Sequence, residues 1–387
     1  MKAIIAGGGT GGHLFPAIAL AEELRSRWAD LPLLFVGVEG GVEASLLATR
    51  GWDFEGIKAS GLQGKRFLSR MRSLSLIPLG LIRSLSILRR FRPDVVVGFG
   101  GYASVAMVLS GVLARVPTVI HEQNALPGLA NRWLGRVVDH VAVAFDEAAD
   151  FFPKRKVRVT GNPVRAELFG ISGAEAVTRL DLDPDRLTIL IFGGSQGAHR
   201  LNQAVMEALP TLADWRERIQ FIHATGPRDL ASVRQGYDAG GYRAVVEPFF
   251  QAMAMAYAAA DLCFCRAGAG TVAELCALGK PSVLIPFPFA ANDHQRYNAE
   301  ALVASGGARM VLDRELNGAT VAEIIRTFLR NREGLEAMAR RAKTLAKPDA
   351  AIRLADLVTR TASRGSRAKL RLLGPDLQSG TRNCEHV

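Results

Sequence analysis

The chain has 387 residues, 49% hydrophobic and 22% charged, with 48 Lys and Arg against 37 Asp and Glu and a formal charge of +11. That length gives two or three domains with sizeable cores, and the composition excludes wholesale disorder and collagen-like fibre. The charge is uneven: Lys58, Lys65, Arg66, Arg70, Arg72, Arg83, Arg89, Arg90 and Arg92 place +9 between Glu55 and Asp94, residues 361–387 carry +3, and the other 322 residues sum to −1.

In chain order, residues 2–6 read as a strand, too short an apolar stretch before the glycines for a signal peptide. Residues 14–28 read as a helix, 33–36 as a strand and 42–50 as a helix. Residues 72–92, if helical, align Leu74, Ile77, Leu81, Leu85 and Leu88 on one stripe, widened by Leu76, Leu79 and Ile82, with Pro78 as a point of kinking. Leu and Ile among cations suit an anionic membrane surface; the plainer alternative is a helix packed on the sheet with a solvated basic rim. Interleaved aliphatic residues, rather than stacking aromatics, argue against nucleic acid. Residues 95–114 are uncharged over a membrane-spanning length, but Gly98, Gly100 and Gly101 divide them into strand, turn and helix. Strands follow at 118–121, 140–143 and 157–160.

The pattern then restarts. Strands at 187–192, 220–224, 244–246, 262–265 and 282–285 alternate with helical stretches, one of them starting near His199. Residues 319–346 are helical in pattern, 350–361 form a last short helix, and the Ser-, Gly- and Arg-rich 362–387 read as a disordered basic tail. Doubly buried strands between helices imply an α/β fold with two Rossmann-like parallel-sheet domains facing across a cleft. The expected divisions are 1–163, 164–343, and a helix at 344–361 returning to the first domain. Cys263, Cys265, Cys276 and Cys384 lack the spacing of a zinc site or a disulfide scaffold and fit a reducing compartment.

Gly7-Gly8-Gly9-Thr10-Gly11-Gly12-His13 follows the first strand and opens the first helix. Such a loop lets backbone N–H groups meet an anion at the positive end of a helix dipole. Gly7, Gly9 and Gly12 also satisfy G-x-G-x-x-G, and Glu39 lies where a ribose-binding acid would, so a nicotinamide dehydrogenase is an alternative; a tight turn alone is another. The second loop, Gly193 to Gly197, discriminates against one dinucleotide site and suggests two phosphorylated ligands. Neither loop continues into Gly-Lys-Ser or Gly-Lys-Thr, which disfavours a P-loop hydrolase. In the third cluster, Arg266 to Leu275, Glu274 sits about one turn into a helix, placed either to accept ribose hydroxyls or merely to complement the helix dipole. His13 is the histidine best placed to act as a base.

Taken in order, GGGTGGHLFPA, VVGFGGYAS, HEQNALPG, GNPVR, GGSQGA, CRAGAGTVAEL and DHQRYNA resemble the bacterial cell-wall transferase family that adds N-acetylglucosamine to undecaprenyl-diphospho-muramoylpentapeptide, over about residues 2–357. The resemblance implies a two-domain B-type glycosyltransferase and an inverting reaction, in which the acceptor 4-hydroxyl attacks C1 of the donor sugar and UDP leaves. It implies that UDP-N-acetylglucosamine contacts Thr10, Gly11, Gly12, Asn124, Arg165, Ser195, Phe250, Ala269, Gly270, Thr271, Val272, Ala273, Glu274 and Gln295. Glu274 would hold the ribose, Phe250 would border the uracil, and Gln295 and Asn124 would orient the sugar. Gly101, Tyr102, Ala103 and Ser104 would lie near the acceptor diphosphate, with His13 as the base. No cofactor or metal is expected, and the expected location is the cytoplasmic face of the bacterial plasma membrane, reached through residues 65–92. Gly270 and Phe250 depart from the family pattern, which often has a larger residue at the first and an aliphatic one at the second. A UDP-N-acetylglucosamine epimerase of the same architecture is the alternative activity, and a membrane-bound scaffold the alternative without catalysis.

Overall fold

The computed structural model describes residues 1–8, 11–57, 67–194 and 196–372. Among them are two parallel sheets. The first has the order β3-β2-β1-β4-β5-β6-β7, built from β1 (Ala3–Ala6), β2 (Leu33–Val38), β3 (Asp53–Ile57), β4 (Val95–Gly98), β5 (Thr118–Glu122), β6 (His140–Val143) and β7 (Val157–Val159). The second has the order β10-β9-β8-β11-β12-β13, from β8 (Leu187–Phe192), β9 (Ile219–Ala224), β10 (Ala244–Glu247), β11 (Leu262–Cys265), β12 (Ser282–Leu284) and β13 (Ala308–Met310).

The central strands are continuous apolar runs because helices cover both sheet faces. Ala3, Ile5, Val95 and Val97 face a core shared with Leu14, Ile18 and Leu24 of the helix Gly11–Arg27, whereas Ile4, Val96 and Ile120 face Ile87, Leu88, Met107 and Val108 on the other side. In the first sheet the order reverses between β1 and β4; in the second, between β8 and β11. Loops leaving the carboxyl ends of neighbouring strands diverge there, and the crevice they leave is where ligands bind in open α/β sheets.

Several expectations need correction. The edge strands β3 and β13 were missed: Asp53-Phe54-Glu55-Gly56-Ile57 and Ala308-Arg309-Met310 mix polar and apolar residues, as half-covered edges do. Residues 319–346 form two helices, Gly318–Arg330 and Arg332–Thr344, divided at Asn331, which leaves helical geometry and accepts the Gly334 N–H at 2.8 Å as an N-cap. The final helix does not stop at 361. It spans Ala350–Leu372, because Arg, Lys, Ala and Leu are good helix formers and the Gly374-Pro375 pair comes only later. Leu354, Ala355, Val358 and Ala362 of this helix enter the core of the first sheet. Residues 373–387 lie outside the described residues.

The helix Phe67–Phe91 contains Pro78. Its second half packs as an ordinary core helix through Ser84, Ile87 and Leu88, while Leu79 and Ile82 are 59% and 66% exposed. Leu88 of the expected stripe therefore faces the domain, with Leu81 and Leu85 half-buried. Leu79 and Ile82, expected only to widen the stripe, face solvent; the side chains of Leu74, Leu76 and Ile77 lie outside the described residues.

Candidate active site

The loops after β1 and β4 interlock. A Cβ on Gly101, whose φ is +81°, would sit 2.7 Å from the Gly8 carbonyl oxygen, and one on Gly100 would sit 2.8 Å from the His13 ring. Glycine is required at both positions by this close approach. Gly101 precedes the helix Tyr102–Leu113, whose first turn has no side-chain cap, so its N–H groups are available to an anion. Ala103 is buried in that first turn. The Ser104 hydroxyl accepts the Gly100 N–H at 3.2 Å and so shapes the loop from beneath. The Tyr102 ring lies toward Gly80 of the neighbouring helix, its buried hydroxyl without a protein partner.

His13 lies in the first turn of the helix opened by Gly11 and Gly12. Its Nδ1 is 3.2 Å from Gln123 Oε1, while Gln123 Nε2 donates to the Phe99 carbonyl at 2.8 Å. Because the Gln123 amide is oriented by that second bond, its oxygen must accept, Nδ1 carries the proton, and Nε2 keeps the lone pair. Burial lowers the His13 pKa against the opposing pull of Glu122, and His294 of the second sheet's side lowers it further. The imidazole is thus poised neutral, as a base must be. Glu122 is itself buried and accepts bonds from Asn124 N at 3.0 Å, Asn124 Nδ2 at 3.1 Å, Gly128 N at 3.2 Å and Asn131 Nδ2 at 2.9 Å.

On the second sheet the loops after β8 and β9 also interlock. A Cβ on Gly197, at φ +75°, would lie 2.0 Å from the Thr225 carbonyl oxygen. The helix Ala269–Leu278 follows β11 and starts at Gly268 without a side-chain cap. Ala269, Gly270, Thr271, Val272 and Ala273 form its opening turns, and a Cβ on Gly270 would meet nothing within 4 Å. Glu274 accepts from the Tyr257 hydroxyl at 2.9 Å and from Arg165 at 3.3 Å. Burial raises its pKa, and Arg165 and the Tyr257 bond oppose the rise. Gln295 Oε1 accepts the Phe287 N–H at 2.9 Å, which turns Nε2 into the group available for a ligand. The Phe250 ring is buried in the domain core, leaving its backbone as the part able to border a base.

Arg165 joins the two sides. It bonds Glu167 at 2.8 Å and Glu274 at 3.3 Å while its guanidinium lies 4.3 Å from the Phe15 ring centre on the first helix. The structure therefore gathers Gly11, Gly12, His13, Asn124, Arg165, Glu274 and the helix starts at Gly101 and Gly268 about one interdomain crevice. Thr10 and Ser195 lie outside the described residues. Sequence reasoning overlooked Gln123 and Tyr257. Gln123 stood inside the HEQN motif with no role assigned, and Tyr257 carries no local signal because only the fold brings it to Glu274. Among the described residues, no group of three or more His, Cys, Asp or Glu side chains could hold a metal ion, and no helix is long and apolar enough to cross a membrane.

Residues 3–143 match the glycosyltransferase family 28 N-terminal domain, and residues 188–354 match the glycosyltransferase family 28 C-terminal domain. The chain is 48% identical over 357 residues to the UDP-N-acetylglucosamine--N-acetylmuramyl-(pentapeptide) pyrophosphoryl-undecaprenol N-acetylglucosamine transferase of Myxococcus xanthus, covering 92% of each chain. It is 49% identical over the same length and coverage to the enzyme of that name from an Anaeromyxobacter species. Among solved structures, Acinetobacter baumannii MurG superposes with a TM-score of 0.73 at 29% identity, over 93% of this chain and 99% of that one. A UDP-GlcNAc 2-epimerase from Neisseria meningitidis superposes with a TM-score of 0.65 at 14% identity, over 94% of this chain and 100% of that one, which is a likeness of fold alone.

Proposed function

The chain belongs to glycosyltransferase family 28, and from that premise we propose how its two sheets divide one reaction. It is a UDP-N-acetylglucosamine-dependent hexosyltransferase that forms lipid II from undecaprenyl-diphospho-muramoylpentapeptide in peptidoglycan synthesis. The observation that carries the division of labour is Glu274, held by Tyr257 and Arg165 one turn inside an uncapped helix start, across the crevice from a neutral His13.

In this reading the donor binds on the second sheet. Glu274 accepts two ribose hydroxyls, the Phe250 backbone borders the uracil, Gln295 and Asn124 orient the sugar, and Thr10 and Ser195 join the loops that meet the donor. The acceptor diphosphate lies at the start of the helix Tyr102–Leu113, against Gly101 to Ser104. The acceptor 4-hydroxyl attacks C1 with inversion, its proton passes to His13 Nε2, and the C1–O bond to UDP breaks. Charge growing on the departing diphosphate is met by the N–H groups of Ala269 to Thr271 and by their helix dipole, fixed donors that need no reorganisation. The reading requires no cofactor.

The enzyme is proposed to work as a peripheral protein at the cytoplasmic face of the bacterial plasma membrane. Leu79 and Ile82 are exposed on a helix whose last turn carries Arg89 and Arg90. Arg83 and Arg90 both reach Glu55, so part of the basic charge is neutralised within the fold, and insertion of the apolar pair contributes alongside the cations. Leu79→Ser with Ile82→Ser is expected to reduce cosedimentation with anionic liposomes while UDP affinity is unchanged; undiminished liposome binding contradicts the docking surface. Release of UDP that depends on a lipid I analogue tests the activity. Donor turnover without acceptor would favour the epimerase reading instead.

A further inference from the structure

We infer that Asn298 is an interdomain positioning residue: its buried amide links the loop that orients His13 to the loop that opens the Glu274 helix, and so sets base and donor site in register. This rests on the transferase reading above and assigns a role to a residue outside the substrate contacts.

Asn298 lies on the helix His294–Ala304 of the second domain and is fully buried. Its Oδ1 accepts the Ala125 N–H at 2.9 Å, and its Nδ2 donates to Asn124 Oδ1 and to the Ala267 carbonyl, each at 3.2 Å. Ala125 and Asn124 follow β5 of the first sheet; Ala267 follows β11 of the second and lies two residues before Ala269. One side chain thereby spans the crevice floor and joins both halves of the site.

The surrounding bonds fix the orientation of each amide. Glu122 Oε1 accepts from both Asn124 N and Asn124 Nδ2, so Asn124 must turn its oxygen toward Asn298. The Ala267 carbonyl also offers only an acceptor, and the Ala125 N–H offers only a donor. A residue here must donate twice and accept once, which a primary amide does and a carboxylate does not. The chain of contacts then runs from Asn298 through Asn124 to Glu122, and Gln123, between those two residues in sequence, holds His13. Burial without alternative partners makes the arrangement discriminating, because each lost partner leaves an unsatisfied group.

The prediction separates positioning from support of the fold. Asn298→Asp keeps the shape and the bond from Ala125 but sets a carboxylate oxygen against Ala267 O and Asn124 Oδ1; Asn298→Ala removes all three bonds. Each variant is to be assayed for transfer to a lipid I analogue, with active protein counted by the stoichiometry of UDP binding in calorimetry. We expect kcat per UDP-binding site to fall about 100-fold, the scale on which a displacement of about 1 Å acts, while UDP affinity stays within about threefold because its contacts lie mainly on one domain. A kcat per binding site within about threefold of wild type in either folded variant overturns the inference, even if the thermal midpoint drops. Should the Ala variant not fold, the Asp variant decides alone. Absence of transfer by the wild-type protein would instead overturn the transferase reading, so the two failures are distinguishable.

Discussion

The Tyr257 hydroxyl, on the helix Met253–Ala259 that precedes β11, donates to Glu274 at 2.9 Å across 17 residues of sequence. Arg165 approaches the other carboxylate oxygen at 3.3 Å. The carboxylate is thus aimed before any ligand arrives, which spares part of the ordering cost of binding.

Removing that carboxylate by Glu274→Ala is expected to weaken UDP binding and turnover together, and normal activity would remove its assigned ribose role. Tyr257→Phe leaves Arg165 in place and should raise the donor KM about 5-fold, the effect of one hydrogen bond of about 1 kcal/mol, with kcat nearly unchanged. Calorimetry with UDP and steady-state kinetics check both.

For His13, substitution by Ala should slow transfer more than it weakens UDP binding, and a rate unchanged within twofold counts against a chemical role. Burial lowers the pKa of this imidazole, so its neutral form persists to a lower pH than that of a free histidine. The acid limb of the rate profile is therefore expected below about pH 6.5. Gln123→Leu frees the Nδ1 proton from its acceptor and should lower kcat without moving the donor KM.

Two glycines should respond oppositely to Ala. A Cβ on Gly270 enters open space within a helix, so Gly270→Ala is expected to raise stability by about 0.5–1 kcal/mol and leave the donor KM within twofold. At Gly197 the new Cβ would meet a carbonyl oxygen at 2.0 Å, with φ at +75°, so the Ala variant should lose both stability and donor affinity. Thermal melts with and without UDP distinguish the two.

Acid stability follows from two buried histidines. His223 accepts from Tyr237 and donates to Asn202 Oδ1, each at 3.0 Å, so it is satisfied when neutral. Burial pushes its pKa down to about 3 and that of His121 to about 4. An unfolded chain protonates both near pH 6.5, so below that pH the unfolded state binds more protons and stability falls as pH falls. Urea unfolding between pH 7 and 4.5 should show this slope, and His223→Gln should reduce it by about one proton; an unchanged slope would contradict the assignment.

The alternation of apolar runs and glycine loops made the two parallel sheets legible, because strands covered on both faces leave a plain apolar signature. Edges such as β3 and β13 were not legible, since one exposed side admits Asp53, Glu55 and Arg309. In the site, His13 and Glu274 stood out as candidates because each follows a glycine-containing cluster near the start of a helix, although spacing alone left the role of Glu274 open between ribose and helix dipole. Tyr257 and Asn298 act through contacts that close only when distant segments meet. Phe250 illustrates the converse: its position was marked, but its ring belongs to the core.

The central claim is that one crevice transfers the sugar between two substrates, and the product tests it most directly. Wild-type protein incubated with UDP-N-acetylglucosamine and a lipid I analogue should yield a disaccharide with a β-1,4 linkage, read by proton coupling at the new anomeric centre, and nothing from the donor alone. An α linkage, or donor turnover with no disaccharide formed by well-folded protein, would contradict the account.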